Sequence, residues 1–348
     1  MIYNDILVSV VMPMYNSEAY IAEALESLQK QTYTNFEVII IDNCSTDHSV
    51  DIVRKFNDRR FHLYCNDRNQ GLLYSLQRGV LLAKGKYVAR LDSDDVSYPE
   101  RLEKQVEFLE THSKILLCGC ECNHIRDGKI VEREKFPIYG SEAIKFSLLY
   151  GDYCIAHSTF MFRRLEMQKM GICYEKFQHC QDYHMLLSVI YKAEVEMLPE
   201  TLVGYRIHPD QLSQIDSDDF VENEEIKIRK LYLEKIGMNT KQQAILCKAV
   251  LKKLCGYKEI FEFQNLMKVH AKIIEVDINK CNTFQHLCAQ YIFWHVCTMQ
   301  ERRTKGMLLA YLKSPFRNLK WLLGTKEGIM WAICCFVGYN VKGCGKGK

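Results

Sequence analysis

The densest chemistry in the chain lies in Asp92-Ser93-Asp94-Asp95, three carboxylates within four positions. Crowded carboxylates repel one another, at a cost in stability unless a cation or hydrogen-bond donors offset it. A hard divalent ion carrying a diphosphate would do so, because Mg²⁺ and Mn²⁺ prefer carboxylate and phosphate oxygens. Taken alone, these residues are equally readable as an acidic loop capping the next helix. A second polar stretch, Asp42-Asn43-Cys44-Ser45-Thr46-Asp47, combines carboxylates with hydroxyls. A third, Tyr15-Asn16, follows Pro13.

Each of these loops follows a hydrophobic run. Residues 7–12 are almost unbroken apolar and read as a buried parallel strand. Asn16 or Ser17 is placed to cap a helix whose apolar face is Ile21, Ala24, Leu25 and Leu28. Residues 36–41 form a second strand, then come a helix (Val50, Val53, Phe56) and a strand at 61–64. Asn69-Gln70-Gly71 opens a helix that Gly85 is expected to end, and 87–91 is the strand leading into Asp92. This β-α-β-α-β-α-β alternation predicts a parallel, helix-covered sheet. Ligands of such sheets bind outside the carboxyl ends of the strands, which is where the acidic loops converge.

The pattern then changes. A helix at 100–112 precedes strands at 115–122 and 129–135, joined by a turn at Asp127-Gly128. Residues 141–149 read as helix, 157–162 as a short strand, 181–192 as helix, and 195–207 as a strand broken at Pro199. From about residue 220 the chain reads as nearly all helix.

A length of 348 residues accommodates one domain with a full core and a second, smaller unit. Apolar content of 48% and charged content of 26% are those of a globular protein. The net charge of +3 is unevenly spread: from Gln300 onward there are ten Lys/Arg and two Asp/Glu, a surplus of +8, leaving −5 for the rest. Basic residues concentrated in a tail, with no nucleic-acid motif beside them, argue against nucleic acid as a partner. The N-terminus lacks the basic region of a signal peptide, and no stretch has the roughly 18 apolar residues of a spanning helix. Sixteen cysteines without a leader point to a reducing compartment. The i, i+2 spacing of Cys118, Cys120 and Cys122 fits one face of a strand better than a zinc site. Residues 313–348 mix aromatic and aliphatic side chains with Lys and Arg, suiting either an interfacial amphipathic segment or a helix packed on protein.

Four segments, in order, carry a family resemblance. They are Val8-Ser9-Val10-Val11-Met12-Pro13-Met14-Tyr15-Asn16, Ile39 through Asp47, Asn69-Gln70-Gly71, and Leu91-Asp92-Ser93-Asp94-Asp95. Together they resemble the nucleotide half of the inverting family-2 glycosyltransferases of bacterial polysaccharide type, over roughly residues 5–215. The resemblance implies a GT-A fold, α/β with a mostly parallel sheet flanked by helices, and a helical C-terminal extension. It places a glycosyltransferase domain at 1–219, with a nucleotide half at about 5–112 and an acceptor half at about 113–219. The remainder, 220–348, would be a helical region ending in the basic tail.

The resemblance also implies roles. Pro13, Tyr15 and Asn16 would line the base and ribose, Asp42 would accept a hydrogen bond from the base, and Asp47 would order its loop. Asp92 would lie by the ribose or sugar, Asp94 would ligate Mn²⁺ or Mg²⁺, and Asp95 would bond backbone near the donor sugar. Arg90 is either a partner of these acids or part of a structural ion pair. Gln181-Asp182-Tyr183 resembles the family's Glu-Asp motif, with Asp182 as catalytic base and Gln181 standing where glutamate is usual. The competing reading of Asp182 is a helix-start acid favoured by the dipole. Tyr205-Arg206-Ile207-His208-Pro209 resembles the late Arg-x-His segment, in which His208 would complete the metal or diphosphate site and Arg206 would support it. His157 would face the acceptor or pack at a sheet edge.

The implied reaction moves a sugar from a UDP- or GDP-linked donor to a saccharide or lipid-linked saccharide acceptor. The setting would be cytoplasmic, with the tail in peripheral contact with the inner membrane face. Two other classes compete. A nucleotidyltransferase usually carries a Gly-rich phosphate loop where this chain has Pro13-Met14-Tyr15-Asn16. A non-catalytic sugar-nucleotide-binding or scaffold protein is favoured only by Gln181.

Overall fold

In the computed structural model the described residues are 3–134, 139–150, 155–175, 177, 179–209, 211, 218–235, 237–250, 262–266, 308, 311–314 and 332. Four strands open the fold: β1 (Val8–Met14), β2 (Phe36–Asp42), β3 (Phe61–Cys65) and β4 (Tyr87–Arg90). Helices α1 (Ile21–Gln29), α2 (Ser49–Lys55) and α3 (Gly71–Leu82) connect them. They pair in parallel in the order β3-β2-β1-β4, as the alternation requires. Every residue of β1 and β2 is buried. Each fully buried Val or Ile there contributes about 1.5–3 kcal/mol, so this pair forms a rigid floor for the loops at its carboxyl edge.

Past β4 the sheet becomes mixed. It continues through β8 (Met161–Arg163), β6 (Ile115–Arg126), β9 (Glu194–Arg206) and β5 (Val96–Ser97), with β7 (Lys129–Glu134) hairpinned on β6. The β6–β9 pairing is parallel, and β4–β8, β6–β8, β6–β7 and β5–β9 are antiparallel. The turn between β6 and β7 has Asp127 and Gly128 both at positive φ (51° and 70°), as a tight hairpin requires. The sequence break at Pro199 corresponds to a register shift against β6, not to an interruption of β9. The remaining helices here are α4 (Arg101–Thr111), α6 (Arg164–Lys169) and α7 (Gln181–Lys192).

Some local expectations are corrected. Neither Asn16 nor Ser17 caps α1: the residue before the helix is Tyr20, without a side-chain cap, and both polar residues bond elsewhere. Gly85 does not end α3, which stops at Leu82. Instead, a Cβ at Gly85 would sit 2.6–2.7 Å from backbone atoms of Leu7, Ser9 and Tyr87, so glycine is required for close approach to β1. The expected strand at 157–162 is split into a 3₁₀ turn, His157–Thr159, followed by β8. Two-residue β5 was not anticipated at all. Cys118, Cys120 and Cys122 lie in the core, as a strand face predicts. Burial pushes the Cys118 thiol far up and that of Cys120 to about 12.

The chain divides into two compact units, one of residues 1–141 and 155–224, the other of 142–154 and 225–348. The second contains most of α5 (Ser141–Tyr150), most of α8 (Asp218–Lys235) and α9 (Thr240–Val250). Ile144, Leu148, Ile228, Leu233 and Leu246 are buried in it, and fully buried Arg229 donates to Leu148 O at 2.9 Å. The expected amphipathic tail, 313–348, lies almost entirely outside the described residues.

Candidate active site

Three crossovers deliver three loops to the carboxyl edge of β1, β2 and β4. The first two are stitched to each other. Asn16 adopts φ of 47° and Cys44 φ of 66°. Asn16 N donates to Ser45 Oγ (3.0 Å), and Thr46 N donates to Asn16 Oδ1 (2.8 Å). Asp47 accepts from Glu18 N (2.9 Å), Ser49 N (3.0 Å) and Ser49 Oγ (2.6 Å). Burial works against the Asp47 charge, but these bonds outweigh it and hold the carboxyl below its ordinary value. Asp42 is buried, with Ser45 N 3.2 Å from Oδ1. Asn43 Oδ1 gathers Asn66 Nδ2 (3.0 Å) and Gln70 N (2.9 Å), tying the loop after β2 to the start of α3. Pro13 is buried within β1, whereas Tyr15 is 47% exposed.

The third loop carries the acid cluster. Ligand oxygens of Asp92, Asp94 and Asp95 all lie within 4.8 Å of one another. Asp92 Oδ1 pairs with Arg90, whose side chain is buried, and Oδ2 accepts from Ser158 Oγ at 2.7 Å. Asp94 Oδ2 is 2.9 Å from His208 Nε2. Asp95 Oδ1 accepts from Arg206 N at 2.8 Å, while Oδ2 is buried with no hydrogen-bond partner. Burial, then the Asp94 and Asp92 charges, push the Asp95 carboxyl well above the usual carboxylate range. A buried oxygen lacking a donor, beside two further carboxylates and an imidazole, is an anionic oxygen-rich donor set that a divalent cation fits. Arg206 Nε donates to Asp94 O (2.7 Å), so β9 grips the acid loop by backbone as well as side chain.

A second cluster adjoins. His157 Nε2 is 2.7 Å from Tyr174 Oη. Burial and the Arg90 guanidinium hold the imidazole well below its usual value. Burial drives the Tyr174 hydroxyl up; Arg90 opposes this, and the Asp182 and Asp92 carboxylates add to it. Tyr174 therefore feels the acid loop and the start of α7 at once. Gln77 Nε2 of α3 holds the Tyr174 carbonyl at 2.7 Å. Asp182 lies in the first turn of α7, partly exposed, with its Oδ1 accepting from Tyr183 N. Gln181 beside it is buried, with Oε1 unpartnered. The residues preceding α7 are anchored by Glu224, which accepts from His179 N (2.9 Å) and Cys180 N (3.2 Å).

Sequence reading missed several members of this site: Ser17, whose Oγ meets Ser93 Oγ at 2.7 Å and ties the first loop to the acid loop; Ser158; Tyr174; and the α1 pair Tyr20 and Glu23. None belongs to a residue pattern that carries chemistry.

The family model described as Glycosyl transferase family 2 matches residues 9–169. An uncharacterized glycosyltransferase of Haemophilus influenzae is 31% identical over 256 residues, covering 68% of this chain and 77% of that protein. A UDP-Glc:alpha-D-GlcNAc-diphosphoundecaprenol beta-1,3-glucosyltransferase of Escherichia coli, WfgD, is 29% identical over 187 residues, covering 54% and 71% respectively. Among solved structures, S. aureus TarS 1-349 in complex with UDP-GlcNAc superposes with a TM-score of 0.57 at 19% identity, over 84% of this chain and 90% of that one. That last likeness is one of fold. The fold, the acid cluster at the sheet's carboxyl edge and the matched relatives agree: this chain is a glycosyltransferase and belongs to glycosyltransferase family 2.

Proposed function

We propose that the protein transfers a sugar from a nucleoside-diphosphate sugar to an acceptor hydroxyl in one inverting displacement assisted by a divalent cation, in the synthesis of a surface polysaccharide. The observation that carries this is the acid loop, with three carboxylates within 4.8 Å, one buried oxygen without a donor, and His208 alongside. A nucleoside diphosphate would occupy the crevice between the loops after β1 and β2, against Pro13, Tyr15, Asn16 and Asp42, with Asp47 holding that crevice in shape. Asp94 and His208 would hold Mn²⁺ or Mg²⁺, with Asp95 contributing its open oxygen and Asp92 lying by the ribose or sugar. The cation supplies charge neutralisation for the diphosphate as it leaves.

The acceptor hydroxyl is a poor nucleophile near pH 7, and a carboxylate within hydrogen-bond reach takes its proton as attack proceeds. Asp182 is the group we assign to that task. Its charge bears on Tyr174, as does that of Asp92, which supports an approach of base and donor acids to a common space. Relatives support the chemistry too: TarS is described in complex with UDP-GlcNAc, and WfgD is named for a UDP-Glc donor and a diphosphoundecaprenol-linked acceptor. A UDP-sugar and a lipid-linked saccharide are accordingly the first donor and acceptor to try. No helix among the described residues is long and apolar enough to cross a membrane. The +8 surplus after Gln300 would draw the tail to anionic lipid at the inner face of the membrane. Unchanged membrane association after deletion of 313–348 would remove that element.

The test is a panel of nucleoside-diphosphate sugars with Mn²⁺ or Mg²⁺, followed by thermal stabilisation and donor hydrolysis. One donor giving a metal-dependent shift that D94A abolishes is the expected result. A panel without any shift would overturn the nucleoside-diphosphate donor in favour of a lipid-linked donor or a non-catalytic fold.

A further inference from the structure

The start of α1 reaches the residues that grip the acid loop through Tyr20, just before the helix, and Glu23 in its first turn, to which no motif assigns a role. Past the bond from Ile207 N to Ile125 O (2.9 Å), the β6–β9 ladder ends. His208 lies beyond it, with its ring against Tyr20, centroids 4.6 Å apart and planes tilted by 44°. The Arg206 guanidinium carbon lies 4.9 Å over the same Tyr20 ring. Arg206 Nη2 ends on Glu23 Oε2 at 2.6 Å, while its Nε and backbone N hold the acid loop at Asp94 O and Asp95 Oδ1. The Glu23 side chain is 54% exposed, so its ion pair alone is weak. The aromatic face does what that pair cannot, by lying under the Arg206 guanidinium and packing at a tilt on the His208 ring at once.

We propose that Tyr20 and Glu23 are positioning residues, a two-point brace that fixes His208 and Arg206 against Asp94 and Asp95 before any cation arrives. Side chains that orient metal ligands without touching the metal set its affinity, and losing one typically costs about 10–100-fold. The proposal rests on the metal-assisted reading above. It uses the ring of Tyr20 and not its hydroxyl, and the acceptor oxygen of Glu23 more than its charge.

The experiment is Mn²⁺ titration of the full chain, with free Mn²⁺ read by electron paramagnetic resonance, and melting temperatures taken in EDTA. Wild type and Y20F bind alike, D94A loses binding, and Y20L and E23A bind about tenfold more weakly, with E23Q in between. Transfer by Y20L and E23A then recovers toward the wild-type rate as Mn²⁺ is raised to saturation, which a folding defect would not allow. Glu23 is exposed on a helix surface, so E23A keeps the test open if Y20L melts early. Binding lost in D94A but unchanged in Y20L and E23A removes the brace alone. Parallel losses in Y20F and Y20L would overturn the role given to the ring. Absence of Mn²⁺ binding in wild type would remove the metal reading, and the brace with it.

Discussion

Two acidic loops stand at one sheet edge, on either side of the loop after β1, and they treat their carboxylates in opposite ways. In the loop after β2, Asp47 spends its oxygens on Glu18 N, Ser49 N and Ser49 Oγ, and is held below its ordinary value. In the loop after β4, Asp95 keeps a buried oxygen without a partner and is pushed up by burial and by Asp94 and Asp92. Spacing alone does not separate these cases. The difference lies in where the donors are: a carboxylate that folding has satisfied is scaffold, and one that folding has crowded awaits a positive charge from outside.

That contrast can be broken or sharpened by substitution. The largest effect belongs to D94A, for which transfer should fall by at least about 10³-fold and metal-dependent donor binding should disappear in a thermal-shift titration. D182N should lower kcat by about 10²–10⁴-fold while donor binding, measured calorimetrically, stays near wild type. Transfer by D182N at the wild-type rate would remove Asp182 as the base. D47N should act on the scaffold, lowering stability by about 1–2 kcal/mol in urea unfolding with kcat little changed. The sign of its pH dependence follows from the depressed value. Asp47 stabilises the fold above the unfolded carboxyl's pKa near 3.9, and that contribution fades as pH falls through the folded value, so the gap between D47N and wild type narrows in acid. The smallest effect is S17A, which cuts the Ser17–Ser93 link between the first loop and the acid loop and should cost about 1 kcal/mol of stability, with a modest rise in donor KM.

The parallel half of the fold was legible because its code is local. Strands β1, β2 and β4 are largely apolar runs that end in polar loops, and α7 has the expected bounds of 181–192. What escaped depends on partners far along the chain. Ser158 meets Asp92 across 66 positions, and Arg206 meets Glu23 across 183. Arg101 and Gln105 are polar residues of the helix at 100–112, yet both are fully buried. Arg101 Nη2 holds the carbonyl of Arg90 at 2.6 Å, and Gln105 holds that of Thr159 at 2.7 Å. A buried guanidinium that donates to a main-chain carbonyl leaves no trace in hydropathy, because the sequence does not record where carbonyls end up. Asn16 and Ser17 were misread for a related reason: a polar residue before a helix is usually its cap, and here loop-to-loop bonding outcompetes the helix.

The thiols on β6 bear on how this protein can be watched. Cys118 and Cys120 have no exposed surface and are poor thiolates while the sheet is closed, whereas Cys65 and Cys173 stand at the surface. Among the described cysteines, thiol-reactive labels should therefore reach Cys65 and Cys173 first and the buried β6 thiols, Cys122 included, only when the centre of the sheet opens. The slow fraction of a labelling time course is a clock for that opening, carried in the native sequence and readable by mass spectrometry without introducing a probe.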